Sequence, residues 1–181
     1  MSADELSELQ EHAEHARHNP DLAPVSLTMA IVAVLVATVS LLGHRAHTEE
    51  VILQNKVSDQ WAYYQAKNIR RHSDEQFADM ISIANPKDAD QANKLREKYT
   101  AEAERYRDEQ KELDAKAREL ESDADRERKR ANRYDLGEVF LEIALVISSI
   151  TLLSGRRTFW LAGIIMGVAG LVVAATGILI H

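Results

Sequence analysis

Three apolar runs constrain this chain more than any other feature. Residues 25–42 (VSLTMAIVAVLVATVSLL) and 158–180 carry no Asp, Glu, Lys or Arg, and residues 136–153 carry two acids, Glu138 and Glu142. Coiled into helices rising about 1.5 Å per residue, each run reaches across a hydrocarbon layer roughly 30 Å thick. The sequence therefore reads as an all-α integral membrane protein with three transmembrane helices. The first run follows Asp4, Glu5, Glu8, Glu11 and Glu14, where a secretory leader would be basic, and it lacks a small-residue cleavage pattern. It is expected to stay as an anchor.

Between the first and second runs the material changes. Residues 44–136 carry 21 acids and 19 bases, whereas residues 1–24 carry six acids against Arg17 alone, within a formal charge of −7 for the whole chain. Interspersed charge suits a solvated helix surface and lacks the net basic face that a nucleic acid requires. Cysteine is absent, which excludes disulfides, thiolate metal sites and cysteine nucleophiles.

Helix punctuation sets the organisation. In the acidic tail, Ser2 and Glu5 have capping-box spacing, and Leu6, Leu9, Ala13 and Ala16 allow a short helix before Pro20. Beyond the first span no proline intervenes until Asn85-Pro86, so that helix runs on for about 40 residues, roughly 60 Å. Asp88 with Gln91 is a capping-box-like start for a second long helix, free of Gly and Pro until Gly137. Along it Tyr99, Tyr106, Leu113 and Leu120 repeat every seven residues, interleaved with Ala103, Gln110, Ala117, Ala124 and Ala131. That is a coiled-coil-like seam. The first arm offers Leu53, Val57, Trp61 and Tyr64, a polar interruption over 68–76, and then Phe77, Met80, Ile81 and Ala84.

The expected arrangement is an antiparallel helical hairpin over residues 43–135, turning near 85–87, with Trp61 and Tyr64 beside residues 106–113. No strands are needed. The basic turn 154–157 is so short that spans two and three must pair antiparallel. Span three then carries Gly163, Gly167, Gly170, Ala174 and Gly177 on one face. Such a small-residue seam serves close packing on span two or self-association.

Lys and Arg near the membrane ends set orientation. Arg45, Lys56, Arg126, Arg128, Lys129, Arg130 and Arg133 stand on the hairpin side, and Arg17, Arg156 and Arg157 on the other. Seven against three favours a cytoplasmic hairpin. Against this, long loops cross regardless of charge, and a two-Arg turn is itself a common cytoplasmic feature.

The string DQWAYYQAKNIRR, residues 59–71, resembles the most distinctive signature of the bacterial membrane family catalogued as domain-of-unknown-function family 4337. Chain length, the three spans and the basic turn also resemble that family, over about 25–180. The resemblance implies a bacterial inner-membrane location and supplies no reaction, cofactor or ligand.

Candidate chemistry is sparse. His12, His15 and His18 recur every third residue beside Glu11 and Glu14, as a weak metal chelate or simply a solvated tail. Glu142 lies about one turn beyond Glu138. It either reaches the interface or a neighbour such as Arg133, or lines a pore in an oligomer with Ser148 and Ser149. Trp61, Tyr63 and Tyr64, with Gln65 and Lys67, form an aromatic cluster that serves packing or a partner surface. The juxtamembrane bases Arg126, Arg128, Lys129, Arg130 and Arg133 set topology or attract anionic lipid. No phosphate-binding glycine loop, G-x-S-x-G elbow or H-E-x-x-H pair occurs.

The expected function is therefore non-enzymatic and without cofactors. The partners expected are the lipid bilayer, further copies of the chain and an unknown protein at the hairpin. The chain would be a homo-oligomeric scaffold or interaction stalk; the alternatives are a channel or transporter component with an acidic ring, and a membrane signal relay.

Overall fold

The computed structural model describes residues 22–84 and 87–180. It holds three helices, α1 (Ala23–Ile83), α2 (Ala89–Ser154) and α3 (Arg157–Ile178), with no strand among the described residues. Each contains a stretch long and apolar enough to cross a membrane. α1 and α2, at 61 and 66 residues, extend far beyond that stretch.

Local chemistry sets the helix ends. At the start of α2 the Asp88 carboxylate accepts the Gln91 N–H at 3.0 Å, occupying one of the unpaired donors of a first turn. α2 ends at Gly155, whose φ of +64° is the left-handed region that glycine enters without strain, and whose N–H donates to the Thr151 carbonyl at 2.9 Å. α3 then begins within two residues, so the chain reverses at once.

The described residues divide into two compact units, residues 22–49 with 125–180, and residues 50–84 with 87–124. The first contains the three apolar stretches. Its core joins Val32, Val39 and Ala46 of α1 to Ala131, Tyr134, Leu141 and Ala144 of α2 and Ala174 of α3. α2 runs antiparallel to both neighbours: Gly43 lies against Tyr134 and Asp135, and the α3 glycines meet α2 in descending order.

The second unit is the antiparallel pairing of the remaining parts of α1 and α2. α2 buries Ala103, Tyr106, Gln110, Ala117 and Ala124 in steps of three, four and seven. On α1 the buried line starts at Leu53, and the half-buried Val57, Gln60, Tyr64, Lys67 and Arg71 continue the same steps to the buried Ala78. Phe77 and Met80, where the apolar stripe was expected to resume, are 49% and 60% exposed. The seven-residue repeat that begins at Val57 runs through Tyr64 and Arg71 to Ala78. Phe77, one step before Ala78 and so turned by about 100° on a helix of 3.6 residues per turn, is half exposed yet stacks on Tyr99 of α2 with ring centroids 5.4 Å apart.

Candidate functional site

The string over residues 59–71 works as an interhelical clasp inside the second unit. Gln60 donates its amide to the Leu113 carbonyl at 3.5 Å, and the Trp61 indole N–H donates to Glu121 Oε1 at 2.8 Å. Trp61 thus reaches eight residues beyond Leu113, further along α2 than expected. Helical side chains lean toward their own N-terminus, so in an antiparallel pair facing residues meet at numbers higher than the backbone register suggests. The Trp61 ring packs edge-on to Tyr64 at 5.4 Å.

Lys67 sits where a coiled-coil seam would ordinarily be apolar. Its ammonium forms an ion pair with Glu109 at 2.6 Å and lies 4.9 Å from the Tyr106 ring and 5.4 Å from the Tyr63 ring. Partial desolvation is outweighed by the hydrogen bond to Glu109, aided by Tyr63, which holds the lysine above its ordinary 10.5. One turn on, Arg71 donates to Asn68 Oδ1 at 3.1 Å, and Glu75 takes Arg107 from the facing helix at 3.4 Å. The Arg71 Nε and the Gln110 Nε2 are buried without a hydrogen-bond partner. Ion pairs, aromatic faces and one unpartnered amide thus line the layer between the two helices. Of the three clustered aromatics, Tyr63 is 51% exposed while Trp61 and Tyr64 are half-buried.

In the first unit Gly163, Gly167, Gly170, Ala174 and Gly177 are all buried. A Cβ on Gly163 would strike the Ser148 hydroxyl and approach the Ala144 carbonyl; one on Gly170 would meet Gly137, Phe140 and Leu141; one on Gly177 would meet Tyr134 and Arg133. The glycine face is therefore occupied by α2 of the same chain. Ser148 and Thr151, each about 1% exposed, lie on the same side of α2 with hydroxyls that find no partner.

Glu142 lies on the opposite side of α2, in the exposed class with Leu136, Val139, Ile143, Val146 and Ile150. No ion pair joins it to Arg133, which packs against Gly177 near the end of α3. The juxtamembrane bases are largely matched on their own helix. Arg128 and Lys129 share Asp125 at 2.6 and 3.7 Å, and Arg130 pairs with Glu127 at 2.7 Å, which holds the Arg130 guanidinium above its ordinary value. Arg126 and Arg133 are exposed. Local pairing of this kind leaves less net charge to attract anionic lipid than the sequence count suggests.

His12, His15 and His18 lie outside the described residues. Among the described residues no group of three or more His, Asp or Glu is placed to hold a metal. Sequence reasoning passed over Gln60, Arg71, Glu109 and Glu121 as seam partners, and Gly137 as the counterpart of the glycine face. The signal for the α1 members was the seven-residue repeat continued from Leu53 to Gln60 and from Val57 to Arg71. It is hidden because the residues occupying it are polar.

No curated protein and no solved structure matches the chain. The family described as Domain of unknown function (DUF4337) matches residues 21–180, a range that takes in all three helices. The chain belongs to that family.

Proposed function

We propose that this is a non-enzymatic integral membrane protein of the bacterial inner membrane, whose three spans anchor a hairpin that serves as a homo-oligomeric scaffold or interaction stalk. The observation that carries the reading is the incompleteness of the second unit. Two helices there cover a narrow seam of alanines and polar groups, while Val51, Ile52, Tyr63, Ile69, Phe77 and Met80 stay exposed. Apolar positions spread around a two-helix unit are covered when neighbouring helices bundle with it. In the first unit the outward residues of α1 and α3, among them Leu27, Ile31, Val34, Ile165 and Val168, are apolar, as a lipid-facing surface requires.

The excess of Lys and Arg at the hairpin-side ends of the spans favours a cytoplasmic hairpin. A cytoplasm-dependent reporter fused after His181 tests this: activity supports it, and silence with activity of a periplasmic reporter refutes it. Mass and symmetry of the detergent-solubilised full chain test the main reading. A defined multimer is expected, and a monomer would overturn it.

A second reading, a channel or transporter component with an acidic ring, is supported by the outward exposure of Glu142. It requires a closed ring of copies and a conductance in reconstituted vesicles that Glu142→Gln abolishes.

A further inference from the structure

We propose that the face of α2 carrying Glu142 is where two copies of this chain meet inside the bilayer, each Glu142 carboxyl hydrogen-bonding to the other. This rests on the homo-oligomeric reading above and names its membrane contact.

The depth of Glu142 carries the argument. Gly167 faces both Ala144 and Val32, so those three residues share one level of the first unit. α1 and α2 run antiparallel, so two residues before Ala144 on α2 corresponds to two residues after Val32 on α1, and Glu142 is level with about Val34. Val34 stands nine residues after Val25 and eight before Leu42, the ends of the apolar run. At ~1.5 Å per residue that is about 12–14 Å from either end of the α1 run, and on α2's own run, 136–153, Glu142 stands six residues, about 9 Å, inside Leu136. The backbone at Glu142 is thus inside the apolar layer rather than at its edge.

A polar group exposed to hydrocarbon at that depth costs free energy unless something bonds to it. Among the described residues no hydrogen bond or ion pair reaches it: Glu142 faces away from the side of α2 where Gly137, Leu141, Ala144, Ser148 and Thr151 are buried, the apolar runs of α1 and α3 hold no ionisable side chain, and the ionisable group one turn back on α2 is another acid, Glu138. Its neighbours on the exposed face, Val139, Ile143, Val146 and Ile150, are apolar and suited to helix packing. A second copy supplies what is missing. Across a two-fold axis the same face meets itself, and a carboxyl group is both donor and acceptor for an identical one. Interhelical hydrogen bonds of this kind hold spans together where lipid gives no hydrophobic drive.

The chain has no cysteine, so single-cysteine variants report contacts cleanly. Full-length Val139→Cys, Val146→Cys and Ile150→Cys, with Val168→Cys and Val172→Cys on the outward face of α3 as controls, are oxidised in native membranes and run without reductant. Dimer bands are expected at the three α2 positions and not at the controls. Adding Glu142→Leu to Val146→Cys is expected to reduce the cross-linked fraction several-fold, whereas adding Glu142→Gln, which keeps a hydrogen-bonding amide, preserves it. The proposal is overturned if cross-links map to α3, if Glu142→Leu changes nothing, or if the α2 cysteines capture a protein of another mass. Those results, with a multimeric detergent particle, leave the homo-oligomeric reading standing. A monomeric particle removes both.

Discussion

Gly137 of α2 and Gly170 of α3 face each other reciprocally: a Cβ on Gly137 would stand 2.9 Å from the Gly170 carbonyl oxygen, and one on Gly170 would stand 2.8 Å from the Gly137 carbonyl oxygen. Backbone oxygens cannot swing aside as a side-chain tip can, so either helix would have to move. Gly170→Ala is therefore expected to destabilise the first unit by about 1–3 kcal/mol, the usual cost of overpacking. Gly167→Ala differs, since its Cβ would meet Ala144 and Val32 at an ordinary 3.7 and 3.9 Å. It should be neutral or stabilising by up to about 1 kcal/mol through helix propensity. Unfolding of the detergent-solubilised chain, followed by circular dichroism, checks the pair.

Ala117 and Ala115 make a second contrast, two residues apart on α2. Ala117 is fully buried in the hairpin seam and Ala115 is exposed. Ala117→Leu is expected to cost about 1–3 kcal/mol by forcing the helices apart, and Ala115→Leu to stay within about 0.5 kcal/mol of the parent. Equal effects in thermal melting would show that this seam is not packed.

Gln110 is 5% exposed, and its Nε2 has no hydrogen-bond partner. Replacing a buried, partly unsatisfied amide with an apolar group of similar size removes a desolvation cost, so Gln110→Leu is expected to raise stability by about 1 kcal/mol. A loss of stability in denaturant titration would mean that the amide is satisfied in solution.

The Lys67–Glu109 pair sets a pH dependence whose sign follows from the shift. Lys67 is held above its ordinary 10.5 in the folded chain, so its contribution is fully present below the unfolded value and disappears as pH rises through the folded one. The melting-temperature gap between the parent and Lys67→Met should stay constant from neutral pH to about 10 and close above that. A gap that closes between neutral pH and about 9 would refute this assignment.

Helix identity and the apolar stretches were legible in the sequence because both depend on neighbours within a few residues: unbroken runs, the Asp88 cap, the glycine at 155. The α2 repeat was legible through Tyr106 and Ala117. The α1 repeat was obscured because Gln60, Lys67 and Arg71 occupy positions where an apolar residue would have announced the seam. Where the apolar stripe resumes, Phe77 stacks on Tyr99 and Ile81 is half-buried, while Met80 stays exposed.

By itself, then, the sequence determined an all-α chain with three runs apolar and long enough to cross a membrane, a hairpin between the first two, and a line of small residues on the third. Tertiary structure alone decided which glycines stand against a backbone oxygen, which acid Lys67 meets, and that Glu142 lies on the outward side of α2. These depend on the register and rotation of helices whose contacting residues are separated by tens to more than a hundred positions. Short-range spacing can rank faces of one helix, but only packing fixes which face meets which neighbour, and at what height.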